Sequence, residues 1–225
     1  METAVVRADS YENYLLVEGD EDKHVFSQLL QHYQVFEKFK LKHENFEIKS
    51  HNGIENLLSL RTLRNYLVVD ESRRYGIIID ADEDIAARWK QIKSICEAIG
   101  YHNVPSDPSP DGTFLSEEGL AVVSIWLMPN NRTSGMMEDF IGWLVPRDDL
   151  LWPMAGDIVQ KVIERDQRFR KSYISKACIH TWLAWQKDPG TSLGMSINKH
   201  YVDASASHAQ QFITWIRKLF ELEAV

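Results

Sequence analysis

A mixed α/β fold around a mainly parallel sheet is what this sequence predicts, on three observations. Short β-rich runs alternate with helical patterns through the first half of the chain. One of these runs, at 75–79, is apolar throughout, as in strands covered by helices on both faces. The last third carries helical spacing only. Such alternation implies right-handed crossovers, with ligands expected beyond the carboxyl ends of the strands.

In chain order, residues 14–17 read as a short apolar strand, and 21–35 then places Val25, Phe26, Leu29, Leu30 and Tyr33 at helical spacing. Residues 46–50 alternate as a strand does. His51-Asn52-Gly53 has turn chemistry, and Ile54, Leu57, Leu58, Leu60 and Leu63 recur as one helix face reaching Tyr66. The third strand, 75–79, ends at Asp80. A helix over about 83–99 turns Ile85, Trp89, Ile92, Ile95 and Cys96 inward and stops at Gly100. Residues 102–118 hold three of the seven prolines and read as a loop closing on a hairpin before a strand near 119–127. A helix over 135–144 is ended by Pro146, and further helical patterns cover about 151–164, 168–186 and 208–222, with Trp182, Trp185 and Trp215 expected in the core. The division expected is a sheet domain over 1–145 and a helical C-terminal extension over 146–225 packed on the same core.

Composition excludes several classes. With 225 residues, 44% hydrophobic and 11% aromatic, the chain suits one packed domain of roughly 100 to 250 residues rather than a disordered one. Its 11 glycines and 7 prolines form no tract or repeat, which sets aside collagen, linker and solenoid readings. Apolar stretches such as 119–129 fall short of the roughly 18 residues of a membrane span, so a soluble protein is expected. The opening METAVVRADSYEN lacks the order of a signal peptide, and Cys96 and Cys178 form no CxxC, so a reducing cytoplasm is the expected compartment. The histidines, among them His43, His51, His102, His180, His200 and His208, show no HxH or HExxH spacing, which argues against a zinc enzyme.

A net charge of −8 argues against a nucleic-acid coat working by counterion release alone. The average hides a split: −12 over 1–160, +5 over 161–187 and −1 over 188–225. The basic cluster is Lys161, Arg165, Arg168, Arg170, Lys171, Lys176 and Lys187. Two readings stay open for it, a solvated helix face and a polyanion-contacting face.

Acidic residues gather where strands end or helices begin. Leu15-Leu16-Val17-Glu18-Gly19-Asp20-Glu21-Asp22 puts Glu18 at a strand tip and Asp22 in the next helix's first turn, where the two can converge on one cation. Decoration of a helix N-terminus explains Asp20, Glu21 and Asp22 but does not require Glu18. Ile77-Ile78-Ile79-Asp80-Ala81-Asp82-Glu83-Asp84 feeds an apolar strand into three alternate carboxylates. Left unpaired they repel one another, a cost that Mg²⁺ or Mn²⁺ with hard oxygen ligands removes. The plainer alternative is helix capping by Asp82 and Asp84. Glu138-Asp139 follows the fourth strand and can bring one more carboxylate to the same edge, or be an acid pair in a helix's first turn. Asp148-Asp149 has no strand before it and reads as a helix start.

With β-α-β-α between them, Glu18-Gly19 and Asp80-x-Asp82 resemble the Toprim family, whose marks are a Glu after the first strand and a DxD after the third. Glu18-Gly-x-x-Asp22 is closer to the overcoming-lysogenization-defect (OLD) nuclease branch and to small Toprim-like proteins, and the resemblance covers roughly 12–130. It implies a Toprim-like, Rossmann-type sheet and a metal-dependent nuclease. Glu18, Asp22, Asp80 and Asp82 would bind one Mg²⁺ or Mn²⁺, and Asp84 with Glu138 would help bind a second. The branch also uses a lysine against the phosphate, for which Lys176 is the candidate. Arg165, Arg168, Arg170 and Lys171 are the candidate nucleic-acid contacts, and Glu18, Asp80, Asp82 and Lys176 the candidate catalytic set.

Other readings remain. Asp80-Ala81-Asp82 also fits the aspartyl nucleophile of a haloacid-dehalogenase-like phosphatase, although Glu18 then has no role. A non-catalytic or partner-activated Toprim-like subunit of a phage-defence system is the third. No GxxxxGK[ST] occurs, so an ATPase partner would be a separate chain, and a homodimer is the other protein assembly considered.

Overall fold

The structure, a computed structural model, describes residues 11–38, 41, 45–68 and 70–222; the opening ten residues and His43, both drawn on above, lie outside the described residues. Five strands and ten helices follow one another as β1 (Asn13–Val17), α1 (Asp20–His32), α2 (Val35–Lys38), β2 (Phe46–Ser50), α3 (Ile54–Leu57), α4 (Leu60–Leu67), β3 (Arg74–Asp80), α5 (Ile85–Ile99), β4 (Thr113–Leu115) and β5 (Val122–Met128) among the described residues. Then come α6 (Met137–Gly142), α7 (Leu151–Asp166), a 3₁₀ turn (Lys171–Tyr173), α8 (Ile174–Leu183), α9 (Leu193–Asn198) and α10 (Ser207–Leu219). The sheet order is β2-β1-β3-β5-β4, parallel except for β4, which runs antiparallel to β5 as the expected hairpin. The fold is thus mixed α/β, a mostly parallel sheet flanked by helices. Among the described residues no helix is long and apolar enough to cross a membrane.

Strand alternation divides the core. Tyr14, Leu16, Ile77, Ile79, Val123, Ile125 and Leu127 face α4 and α5, packing with Leu63, Leu67, Trp89, Ile92 and Cys96. Leu15, Val17, Ile78, Trp126 and Met128 face the other way, onto Val25, Phe26 and Leu29 of α1 and onto Trp182, Phe212 and Trp215 from the C-terminal helices. This is why β3 is apolar from Tyr75 to Ile79: each Ile covered on its own face contributes about 1.5–3 kcal/mol. Gly76 interrupts that run for a reason. A Cβ there would lie 2.4 Å from Leu15 Cδ2 and 2.9 Å from Leu219 Cδ2, so only glycine lets α10 lie this close to β3.

Where helices depart from expectation, local chemistry explains it. The helix expected over 21–35 ends at His32, because Gln34 takes a left-handed φ of 52° and α2 starts afresh. The pattern over 54–66 splits at Leu58, and Ser59 caps α4 by accepting the Thr62 N–H at 3.1 Å. The helix expected over 168–186 is a 3₁₀ turn followed by α8, which stops at Leu183. Trp185 lies beyond that stop and is exposed, so it is not the core residue expected, whereas Trp182 and Trp215 are buried. The short α9 has no counterpart in the sequence reading.

Candidate metal centre

β1 and β3 run parallel with Leu16 opposite Ile77, so both strands reach the same sheet edge. Past β1, the Glu18 carbonyl accepts the N–H groups of His51 at 3.3 Å and Gly53 at 2.8 Å. Gly53 has φ of 113°, where a side chain would be strained, and so lets the turn before α3 clamp the Glu18 backbone. The side chain then crosses to β3: Glu18 Oε1 accepts the Asp80 N–H at 2.9 Å. Asp80 is held in turn, its Oδ1 accepting the Met137 N–H at 2.9 Å at the start of α6. Asp22 folds back within the first turn of α1 and accepts the Gly19 N–H at 2.7 Å.

Asp82 and Asp84 are arranged differently. Asp82 has φ of 54°, its N–H and carbonyl pair with Gly135 at 2.9 and 2.7 Å, and its carboxylate is ion-paired with Arg88. Arg88 Nε also donates to the Asp80 carbonyl at 3.1 Å, so one guanidinium ties both ends of the DxD together. Asp84 caps α5, accepting the Ala87 N–H at 3.0 Å through Oδ1. Glu138, in the first turn of α6, is 3% exposed, and its Oε1 meets Lys176 Nζ of α8 at 2.7 Å.

A cavity of about 820 Å³ opens over these groups. Glu18, Asp80, Asp82, Asp84, Glu138 and Lys176 line it, with Arg88, Arg170, Ser172 and Tyr173 on its walls. Asp22 is not a lining residue, but it faces the same field. Of the other basic candidates, Arg165, Arg168 and Lys171 are exposed away from the cavity lining, and Arg168 pairs with Asp166 at 2.7 Å.

Burial and like charge govern the protonation of this cluster. Burial raises Glu18 to about 7, with Asp22 and Asp82 adding to the rise and the Asp80 N–H and Arg88 opposing it. Burial likewise raises Asp22 to about 6, helped by Glu138 and Glu21 against the Gly19 N–H and Lys176. Asp80 is pushed well above the usual carboxylate range by burial and then by Glu18, Asp22, Glu138 and Asp82. Burial works against the charged form of Lys176, but its bond to Glu138 and the nearby acids outweigh that and raise it. The donors are hard oxygens whose shared ionisation costs free energy, a set that fits Mg²⁺ or Mn²⁺.

The wall residues Arg88, Ser172 and Tyr173, and Glu21 and His180 beside Glu138, escaped the sequence reading as site residues. Ligand atoms of Glu21, Glu138 and His180 lie within 4.8 Å of one another, a second grouping able to hold an ion. His180 stands four residues after Lys176 on α8, and that spacing is the signal that could have found it. Arg88 offers no local signal, since its role depends on how the DxD turns back over α5.

The family model described as "Protein of unknown function (DUF3226)" matches residues 12–221. Comparison with curated proteins gave no match. Two solved structures of the C-terminal region of the Xanthomonas campestris pv. campestris OLD protein are similar to this chain. One, phased with mercury, is 10% identical with a TM-score of 0.43, over 92% of this chain and 95% of that one. The other, phased with platinum, is 11% identical with a TM-score of 0.43, over 92% and 93%.

Proposed function

The chain belongs to the DUF3226 family, and from its carboxylate centre we propose that it is a divalent-metal-dependent nuclease hydrolysing phosphodiester bonds of DNA or RNA. The observation that carries this reading is the convergence of Glu18, Asp80 and Glu138 on one cavity with Asp22 in the same field, three of them raised by burial and mutual repulsion. Glu18, Asp22, Asp80 and Asp82 would hold one Mg²⁺ or Mn²⁺, and Glu138 would hold a second with Glu21 and His180, while Asp84, expected to share that site, caps α5. Bound there, the cations would neutralise the phosphate and acidify an attacking water.

The protein's own groups then divide the work. The Asp80 N–H orients Glu18, and the Met137 N–H orients Asp80, so both carboxylates are placed before any ligand arrives. Arg88 fixes the DxD turn through Asp82. Lys176 puts an ammonium at the cavity wall, where it can leave Glu138 for a non-bridging phosphate oxygen. Arg170, on the same wall, suits a flanking phosphate. A haloacid-dehalogenase-like phosphatase leaves the Glu18 bond to Asp80 without a purpose.

A second reading has a specific observation in its favour: Asp82 and Glu138 are both neutralised within the chain, by Arg88 and Lys176. A subunit whose centre is opened only by a partner, such as a separate ATPase, would show this arrangement. The test is incubation with plasmid, single-stranded DNA and structured RNA in EDTA, Mg²⁺, Mn²⁺ or Ca²⁺, alongside p-nitrophenyl phosphate. The nuclease cuts at least one polymer in Mn²⁺ and none in EDTA. Nitrophenol release with polymers intact identifies a phosphatase, and intact polymers with bound Mn²⁺ identify the partner-activated subunit.

A further inference from the structure

We infer that α7 is the seam of a symmetric dimer, with α7 of a second copy lying antiparallel across it; this does not depend on the nuclease reading. The helix is apolar on two sides. Ala155 and Val159 are buried toward α8, and Trp152 packs edge-on against Trp182 with ring centroids 6.1 Å apart. On the outer side Leu150, Met154, Ile158 and Val162 are 82%, 52%, 42% and 45% exposed. Steps of four residues advance about 40° around a helix, so these side chains form one continuous, slowly winding stripe. Single exposed apolar residues are ordinary, but a four-residue run along one helix marks an interaction surface.

Charge identifies the occupant as the chain itself. A two-fold axis near Ile158 sets Met154 against Val162 of the other copy, twice over. Beside the stripe, exposed Asp157 and Lys161 lie about 40° apart on one flank of α7, and in antiparallel pairing Asp157 of each copy meets Lys161 of the other. Opposed helix dipoles also match in this direction, whereas a parallel copy would bring like charges together. Such self-complementarity is what an isologous interface requires. A helix of 16 residues is about 24 Å long, so the contact falls at the small end of stable interfaces.

Sedimentation of the full chain across roughly 1 to 200 μM should show a reversible monomer–dimer equilibrium. Ile158→Glu places like charges on the axis and should leave only monomer at every concentration, with circular dichroism unchanged because the side chain is exposed. Asp157→Lys should weaken the dimer by about tenfold, and Asp157→Lys with Lys161→Asp should restore it. A wild-type monomer throughout the range overturns the inference. A dimer that persists in Ile158→Glu, or a charge swap that fails to restore it, overturns the seam as well.

Discussion

The carboxyl edge of the sheet and the interior directly behind it treat buried polar groups in opposite ways. Inside, Trp215 Nε1 donates to Ser124 Oγ at 2.7 Å, and Ser124 Oγ donates to the Thr113 carbonyl at 3.0 Å. Each of these groups has a partner of complementary character, which is how buried polarity is tolerated. At the edge, Glu18, Asp22 and Asp80 are brought together although all three carry the same charge when ionised, and backbone N–H groups aim them instead of neutralising them. The interior is arranged for stability; the edge gives stability up for a cluster of like charges.

The largest expected effect breaks the interior side. Trp215→Ala removes a buried indole and leaves Ser124 without its donor, and should cost about 3–5 kcal/mol by denaturant titration. A loss under about 1 kcal/mol would mean that α10 is not part of the cooperative core.

At the edge the same kind of change should act the other way. Asp80→Asn or Glu18→Gln should lower metal-dependent cleavage by at least about 100-fold, because the cations' charge stabilisation is lost. Thermal melting of the metal-free variants should match or exceed wild type, since repulsion is relieved. Full cleavage by both variants would remove the nuclease reading.

Stability against pH sharpens the contrast. With Glu18 raised from an ordinary 4.5 to about 7, the folded state binds a proton the unfolded chain has already lost between those values. Its contribution is fully present below about 4.5 and lost as pH rises through about 7, on the order of 1–3 kcal/mol. Asp22, raised from 3.8 to about 6, acts in the same direction. The metal-free protein should therefore lose stability over this window, Glu18→Gln should flatten the loss, and Mn²⁺ should recover it at pH 7 and above. Equal slopes for wild type and Glu18→Gln, measured by urea titration at several pH values, would contradict the burial of Glu18.

The smallest effect concerns the basic stretch. Reversing Arg168, Arg170 and Lys171 to Glu should weaken polymer binding and flatten its salt dependence by roughly one to three units of slope, with metal affinity unchanged. Because only Arg170 of the three lines the cavity, its single reversal should lower cleavage more than either of the others; equal losses would place the substrate path along residues 168–171 instead.

How much was legible follows from the range of the interactions. β2 coincides with the expected strand at 46–50, and β1 and β3 fall within a residue of theirs at either end, because alternating or unbroken apolar runs are a local signal. Helix interruptions were less legible: nothing short of packing decides that Gln34 turns left-handed or that α8 stops before Trp185. Within the site, Glu18, Asp80 and Asp82 could be singled out because each follows an apolar strand, and strand ends in such folds share an edge.

The sequence by itself determined a mixed α/β chain with acids at its strand ends and its basic charge gathered in one late stretch, since periodicity, turn chemistry and charge are properties of neighbours in the chain. Only the tertiary structure decided that Arg88 takes Asp82, that Lys176 takes Glu138, and that Glu21 and His180 stand beside Glu138. Those pairings join residues of different elements, and at separations as large as that between Glu21 and His180 chain proximity has no say. The packing of α6 and α8 onto the sheet brings such groups within the few ångströms over which charge and hydrogen bonding act.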